Sequence, residues 1–576
     1  MIKKLFGYTG EYRRYAIYAP LLIIGEVILE ILIPFVMADI IDNGILGAGG
    51  TSYTVRMGGL MAVMAAASLC LGALAGKCAA MAGTGFAKNI RGGLFDKVQD
   101  FSFSNIDRFT TASLVTRLTT DVNNTQNAFM MFIRIGIRAP IMLVGATTMA
   151  VMLSPGLSVV FLAAIPILAA ALFLIGRNAM PRFKNMLKCY DAMNSSVQEN
   201  LTGIRVVKAY VREEHENEKF RQSADAVRKA QFFAEKLIIL NMPVMQLSMY
   251  GCIIAVLWFG SGLIADGSLE IGRLSGFVTY ITQILISLMM ISMIFIVSII
   301  SRASAARILE VLEETPDIRD DAKASGLSLE DGSIRFSSAS FSYSGAADRL
   351  ALENIDLAIA SGETIGIIGG TGSGKTTLVQ LIPRLYDLTG GELLVGGHDV
   401  RDYSLESLRG DIAMVLQKNV LFSGTIRENL LWGNENATSE EIEESCRTAQ
   451  AHDFITALPN GYDTLLGQGG INLSGGQKQR ICIARALLQK PRIMILDDST
   501  SAVDIATENH IKAALRSKLA GTTTIIIAQR ITSVCDADRI IVMDDGMICG
   551  IGTHNELLET SAIYREVFES QQKGVD

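Results

Sequence analysis

Charge is what the first half of this chain lacks. From Ala139 to Gly176, from Leu237 to Ala265 and from Leu274 to Ser301 there is no Asp, Glu, Lys or Arg. Over all 576 residues only 19% are charged and 49% are apolar, where an ordinary soluble chain carries about 25% charge. Beyond Ser301 charges return at soluble density, so a membrane half is joined to a soluble half. A disordered, collagenous or secreted disulfide-built chain is excluded. A basic excess is also missing: the net charge of −7 argues against nucleic acid as a partner. The eight cysteines form no C-x-x-C pair, which fits reduced thiols. The five histidines are scattered and supply no zinc spacing.

A membrane-crossing helix needs roughly 20 predominantly apolar residues. Six segments qualify: Tyr15–Ala38, Met57–Gly76, Ala128–Leu153, Gly156–Gly176, Leu237–Ala265 and Leu274–Ser301. Ser154-Pro155-Gly156 is a hairpin tip between the third and fourth. Lys3, Lys4, Arg13 and Arg14 precede the first span, while Asp39 and Asp42 follow it, which puts the N-terminus in the cytosol. No cleavable signal peptide is expected ahead of that span. The inner connections Ala87–Gln126 and Arg177–Lys236 keep helical periodicity and read as helices continued beyond the bilayer. Glu26 and Glu30 lie one turn apart inside the first span. Ionisable groups at that depth either bond to neighbouring helices or meet a substrate, where they would favour a cation. Methionines such as Met142, Met245, Met289 and Met293 fill gaps or line an adaptable surface. Gly72-x-x-x-Gly76 permits close helix packing.

An acidic stretch, Glu310 to Asp321, separates the halves. The expected division is 1–305 for the membrane domain, 306–333 for a linker and 334–576 for the soluble domain. In the soluble part, Ile365-Gly366-Ile367-Ile368 reads as a buried strand leading into Gly369-Gly370-Thr371-Gly372-Ser373-Gly374-Lys375-Thr376-Thr377. This is a P-loop: backbone N–H groups curl round the phosphates of ATP, Lys375 neutralises them and the Thr376 hydroxyl ligates Mg²⁺. A helix from Leu378 would direct its positive end at the same phosphates. Ile493-Met494-Ile495-Leu496-Asp497 reads as the companion Walker B strand, with Asp497 on the Mg²⁺ hydration shell.

Between these lies Leu473-Ser474-Gly475-Gly476-Gln477, which resembles the signature of ATP-binding-cassette (ABC) transporters. Further matches extend the resemblance over nearly the whole chain. Tyr343 stands where that family stacks adenine, and Gln417 resembles the Q-loop glutamine that reaches Mg²⁺. Leu421 to Asn429 is similar to the exporter sequence after that loop, Ser501-Ala502-Val503-Asp504 to the D-loop, and Gly203 to Tyr210 to an intracellular coupling region. The resemblance implies a six-span α-helical domain of the type 1 exporter fold followed by an α/β P-loop nucleotide-binding domain. It also implies two chains facing head to tail, so that Ser474, Gly475, Gly476 and Gln477 cap the γ-phosphate held by the partner.

Three positions depart from the family pattern. Asp498 stands where a Glu usually positions the attacking water, and Gln529 where a His usually acts as the switch. Gly467-Gln468-Gly469-Gly470 replaces a Gly-Glu-Arg-Gly pattern. A carboxylate withdrawn by an ångström can cost about 10²-fold in rate, and an amide cannot titrate as imidazole does. With every phosphate-holding residue kept, the pattern resembles the degenerate-site subunit of bacterial heterodimeric exporters. The expectation is an ATP-hydrolysing translocase in the cell membrane, moving an amphiphile, lipid or peptide outward together with a second half-transporter. An ATP-gated regulatory protein and a slow homodimeric pump are the alternatives.

Overall fold

The computed structural model describes residues 2–320, 327–344, 349–499 and 503–573. They divide into two compact units, Met1–Gln99 with Thr111–Glu314, and Asp100–Thr110 with Thr315–Asp576. The second unit thus takes in a short piece of chain from within the helical half.

Among the described residues of the first unit, six helices are long and apolar enough to cross a membrane. Their helical segments are α1 (Arg13–Asp39), α2 (Gly50–Gln99), α4 (Val122–Leu153), α5 (Pro155–Thr202), α8 (Asn241–Ala265) and α9 (Ile271–Glu313). The hairpin tip shrinks to Ser154 alone, whose side chain accepts from Leu157 N at 3.4 Å while Pro155 opens α5. Asp42 caps α9 from outside, accepting from Gly272 N at 2.5 Å and Arg273 N at 3.0 Å. The last helix runs unbroken to Glu313, through Glu310.

The long connections are not the continuous helices expected from their periodicity. The first breaks at 100–102 and turns into α3 (Phe103–Phe109). The second breaks at Gly203 into α6 (Ile204–Ala209) before α7 (Glu213–Ile239) resumes. Helical periodicity on both sides concealed each break, but the first carried a local signal. Ser102 and Asn105 form a capping box, with side chain and backbone exchanged between them.

Glu26 and Glu30 find a common partner. Arg138 Nη1 donates to Glu26 Oε1 at 2.6 Å, and Nη2 donates to Glu30 Oε2 at 2.6 Å. Arg138 lies one residue before the charge-free stretch that begins at Ala139, so averaging over the span hid it. Gly72 belongs to the same arrangement, because a Cβ there would stand 2.8 Å from Glu26 Oε1. Its missing side chain makes room for a carboxylate.

The second unit holds a six-stranded sheet. Its strands are β3 (Thr364–Gly369), β6 (Ile412–Val415), β7 (Ile493–Asp497), β8 (Thr523–Ile527), β9 (Arg539–Asp544) and β10 (Met547–Gly552), in the spatial order β10-β9-β3-β8-β7-β6. All pairs are parallel except β9 with β10. All five residues of β7 are buried, as a central parallel strand requires. A four-stranded antiparallel sheet of β1 (Ile334–Phe341), β2 (Leu352–Ile359), β4 (Gly390–Val395) and β5 (His398–Asp399) shares a core with β3 through Phe336, Ile355, Ile365 and Leu378.

Candidate nucleotide site

In a parallel sheet, ligands collect at the carboxyl ends of the strands. Four neighbouring strands here each lead sequence-selected residues to that edge. β3 runs into the P-loop, β7 ends on Asp497 with Asp498 behind it, β8 leads to Gln529, and β6 leads to Gln417.

The P-loop glycines are required by geometry at two places. Gly372 and Gly374 have φ of +86° and +89°, and a Cβ on Gly374 would stand 2.9 Å from Ala351 O. The helix that follows, α10 (Lys375–Leu381), begins at Lys375 rather than at Leu378. Lys375 Nζ donates to Gly370 O at 2.6 Å and Gly369 O at 3.0 Å, inside the cradle. Burial pulls its pKa below the ordinary lysine value, against the pull of Asp497 and Asp498. Thr376 Oγ1 donates to Asp497 Oδ1 at 3.1 Å. Burial also raises the Asp497 carboxyl, opposed by the Thr376 hydrogen bond and reinforced by Asp498.

Asp498 is the meeting point. Gln529 Nε2 donates to its Oδ2 at 2.8 Å and Gln417 Nε2 approaches the same oxygen at 3.5 Å. Its φ of +48° is held by the hydrogen bond from Asp498 N to Ile527 O at 3.1 Å. Sequence reasoning missed Gln479, a buried residue whose Nε2 donates to Asp498 O at 3.3 Å. Nothing local in the sequence announces a contact made across helix and strand.

Tyr343 is 54% exposed, and its hydroxyl lies 2.9 Å from Thr377 Oγ1. Its ring stands edge-on to Phe341 and Tyr386, at 4.8 and 5.2 Å. That leaves an aromatic face beside the loop.

The signature residues gather elsewhere. Ser474 is the N-cap of α11 (Gly475–Leu488), and it exchanges a capping box with Gln477. Among the described residues no hydrogen bond joins Ser474, Gly475, Gly476 or Gln477 to the P-loop. Asp504 caps α12 (Ile505–Lys518) by accepting from Thr507 N at 2.9 Å. Ser501 and Ala502 of the D-loop lie outside the described residues.

A P-loop on a parallel sheet, with a separate helix-capping serine and a bundle of membrane-length helices, defines an ATP-powered membrane protein. Residues 16–303 match the family described as "ABC transporter transmembrane region", and residues 352–501 match "ABC transporter". The chain belongs to the ABC transporter family, as an exporter half-transporter that binds and hydrolyses ATP and works as one of two subunits. It is 40% identical over 570 residues to the uncharacterized ABC transporter ATP-binding protein YfiB of Bacillus subtilis (strain 168), covering 99% of this chain and 98% of that one. It is 32% identical to an ATP-dependent lipid A-core flippase of Syntrophus aciditrophicus (strain SB), covering 84% of this chain and 80% of the relative. A bacterial Atm1-family ABC exporter solved with ATP bound superposes with a TM-score of 0.82 at 25% identity, over 97% of this chain and 98% of that one.

Proposed function

We propose that this chain is the degenerate-site subunit of a heterodimeric exporter for amphiphiles of lipid-like chemistry. One observation carries the reading. Asp498, already a methylene shorter than Glu, spends one carboxylate oxygen on two neutral amides, those of Gln529 and Gln417. A base so engaged is poorly placed to orient a water molecule, and the residue in the switch position brings no titratable group. Phosphate binding is untouched by either change.

Mg²⁺ fits the donors present. Thr376 and Asp497 bring two oxygens together at 3.1 Å, with Gln417 supplying a third. Among the described residues no cluster of three His, Cys, Asp or Glu exists. Such a sparse set suits an ion that arrives with the phosphates and keeps part of its water.

Ser474 and Gly475 are exposed at the N-terminus of a fourteen-residue helix, where they would meet a phosphate held by a partner with Glu and His in place. The partner in this reading is a non-identical homologue. The basic residues around the first span put the N-terminus and the nucleotide-binding domain in the cytosol. The lipid A-core flippase relative supports an amphiphilic, lipid-like cargo.

ATP hydrolysis by the reconstituted heterodimer tests the assignment. Ser474→Ala should lower turnover about 10²-fold, because it removes a donor at the productive site. Asp498→Asn should change turnover less than about threefold, on the same scale. Brisk hydrolysis by the chain alone, or silencing by Asp498→Asn with Ser474→Ala tolerated, would overturn the reading.

A further inference from the structure

The switch segment after β8 is held by a residue far from any nucleotide motif. The last described helix, α13 (Ala562–Lys573), presents Tyr564, Val567 and Phe568 at helical spacing to a small core containing Ile531, Val534 and Leu557. Tyr564 is fully buried, and its hydroxyl lies 2.7 Å from His554 Nδ1. That packing fixes the helix. One turn past Phe568 on the same face comes Gln571, whose side chain meets the backbone of the switch loop in both directions. Its Oε1 accepts from Ile531 N at 2.9 Å, and its Nε2 donates to Gln529 O at 2.8 Å. The amide thus spans Arg530 as a neighbouring strand residue would.

We propose that Gln571 is a positioning residue for the switch, and that it lengthens the residence of MgATP at this chain's P-loop. Gln529 reaches Asp498 only while its own backbone is held in place, and Asp498 is next in sequence to Asp497, which bonds Thr376 of the P-loop. Releasing the loop at 529–531 removes two hydrogen bonds. It also lets the Gln529 side chain leave the phosphate edge. The C-terminal helix therefore acts on the nucleotide without touching it, and the effect does not depend on which partner subunit is present.

The test uses the full chain in lipid nanodiscs, with stopped-flow release of a fluorescent mant-ATP–Mg²⁺ complex. Gln571→Ala should speed release about tenfold, the scale of two hydrogen bonds near the surface, one part-buried and one exposed. Gln571→Glu keeps length and helix propensity but sets a carboxylate oxygen against Gln529 O, and should also speed release. Gln572→Ala, an exposed neighbour, should release at the parent rate. In the double variant Gln529→Ala with Gln571→Ala, the second change should add nothing to the first. A parent rate for both Gln571 variants overturns the proposal. So does a full multiplicative effect in the double variant, which marks general loosening of the domain rather than action through Gln529.

Discussion

At the scale of single residues, the place proposed for Asp497 beside Mg²⁺ would couple metal binding to protons. Burial lifts its carboxyl above the ordinary aspartate value, with Asp498 adding to the lift and Thr376 opposing it. The folded protein without metal therefore holds this proton more tightly than the unfolded chain does. Asp497's contribution to stability is present below the unfolded pKa and is lost as pH rises through the raised value. Mg²⁺ needs the charged form, so MgATP must displace whatever proton remains. Affinity should tighten as pH rises from the acid side, and binding measured calorimetrically in buffers of different ionisation heat should show net proton release there. Uptake, or affinity flat across that range, would contradict the raised value. The residues at the strand ends were legible because each follows a short buried strand in a recognisable run. Gln479 and Gln571 were not, since each acts only through contacts between segments distant in sequence.

At the scale of elements, α3 belongs to the nucleotide-binding unit although the membrane half of the sequence encodes it. Phe103 packs edge-on to Tyr386 at 6.0 Å, Ser104 Oγ donates to Asp317 Oδ2 at 2.7 Å, and Tyr386 Oη donates to Asp107 Oδ2 at 2.8 Å. Burial, and then Asp107 beside it, push the Tyr386 hydroxyl well above the ordinary tyrosine value, so it remains a donor at physiological pH. Because Tyr386 also flanks Tyr343, the seat of this helix adjoins the exposed ring expected to stack the base. Tyr386→Phe removes one hydrogen bond to a charged acceptor, worth about 1.5–3 kcal/mol. Amide exchange across 100–110 should accelerate by at least about tenfold, with the P-loop amides unchanged. Equal protection in both proteins would show that the bond does not hold the helix. Element type was legible in the long helices and buried strands. The short transverse helices were not, because Ser102 and Gly203 break runs whose apolar period continues on either side.

At the scale of the molecule, the orientation proposed from the basic residues ahead of the first span expects the Asp42–Ser52 connection outside and the connection 177–236 inside. A single cysteine introduced at Ser52, in a background free of the eight natural ones, should react with an impermeant maleimide added to intact cells. One at Ser223 should react only after lysis. The reverse pattern would invert the topology. Composition alone was enough to separate membrane from soluble chain here. The pairing of Arg138 with Glu26 and Glu30 was not legible, because it joins two spans whose average hydropathy conceals their charges.

The return of residues 100–110 into the nucleotide-binding unit has a practical consequence for anyone wishing to handle that unit by itself. A fragment cut after Glu314 would begin downstream of α3 and so arrive without one of its own parts. Phe103 would be gone from Tyr386 and Ser104 from Asp317, leaving an apolar seat and an unanswered carboxylate facing water. Such a fragment should clump at modest concentration and bind nucleotide with a disturbed aromatic face. Supplying 100–110 as a separate peptide, or stitching it onto the fragment through a flexible tether, should restore a monodisperse protein.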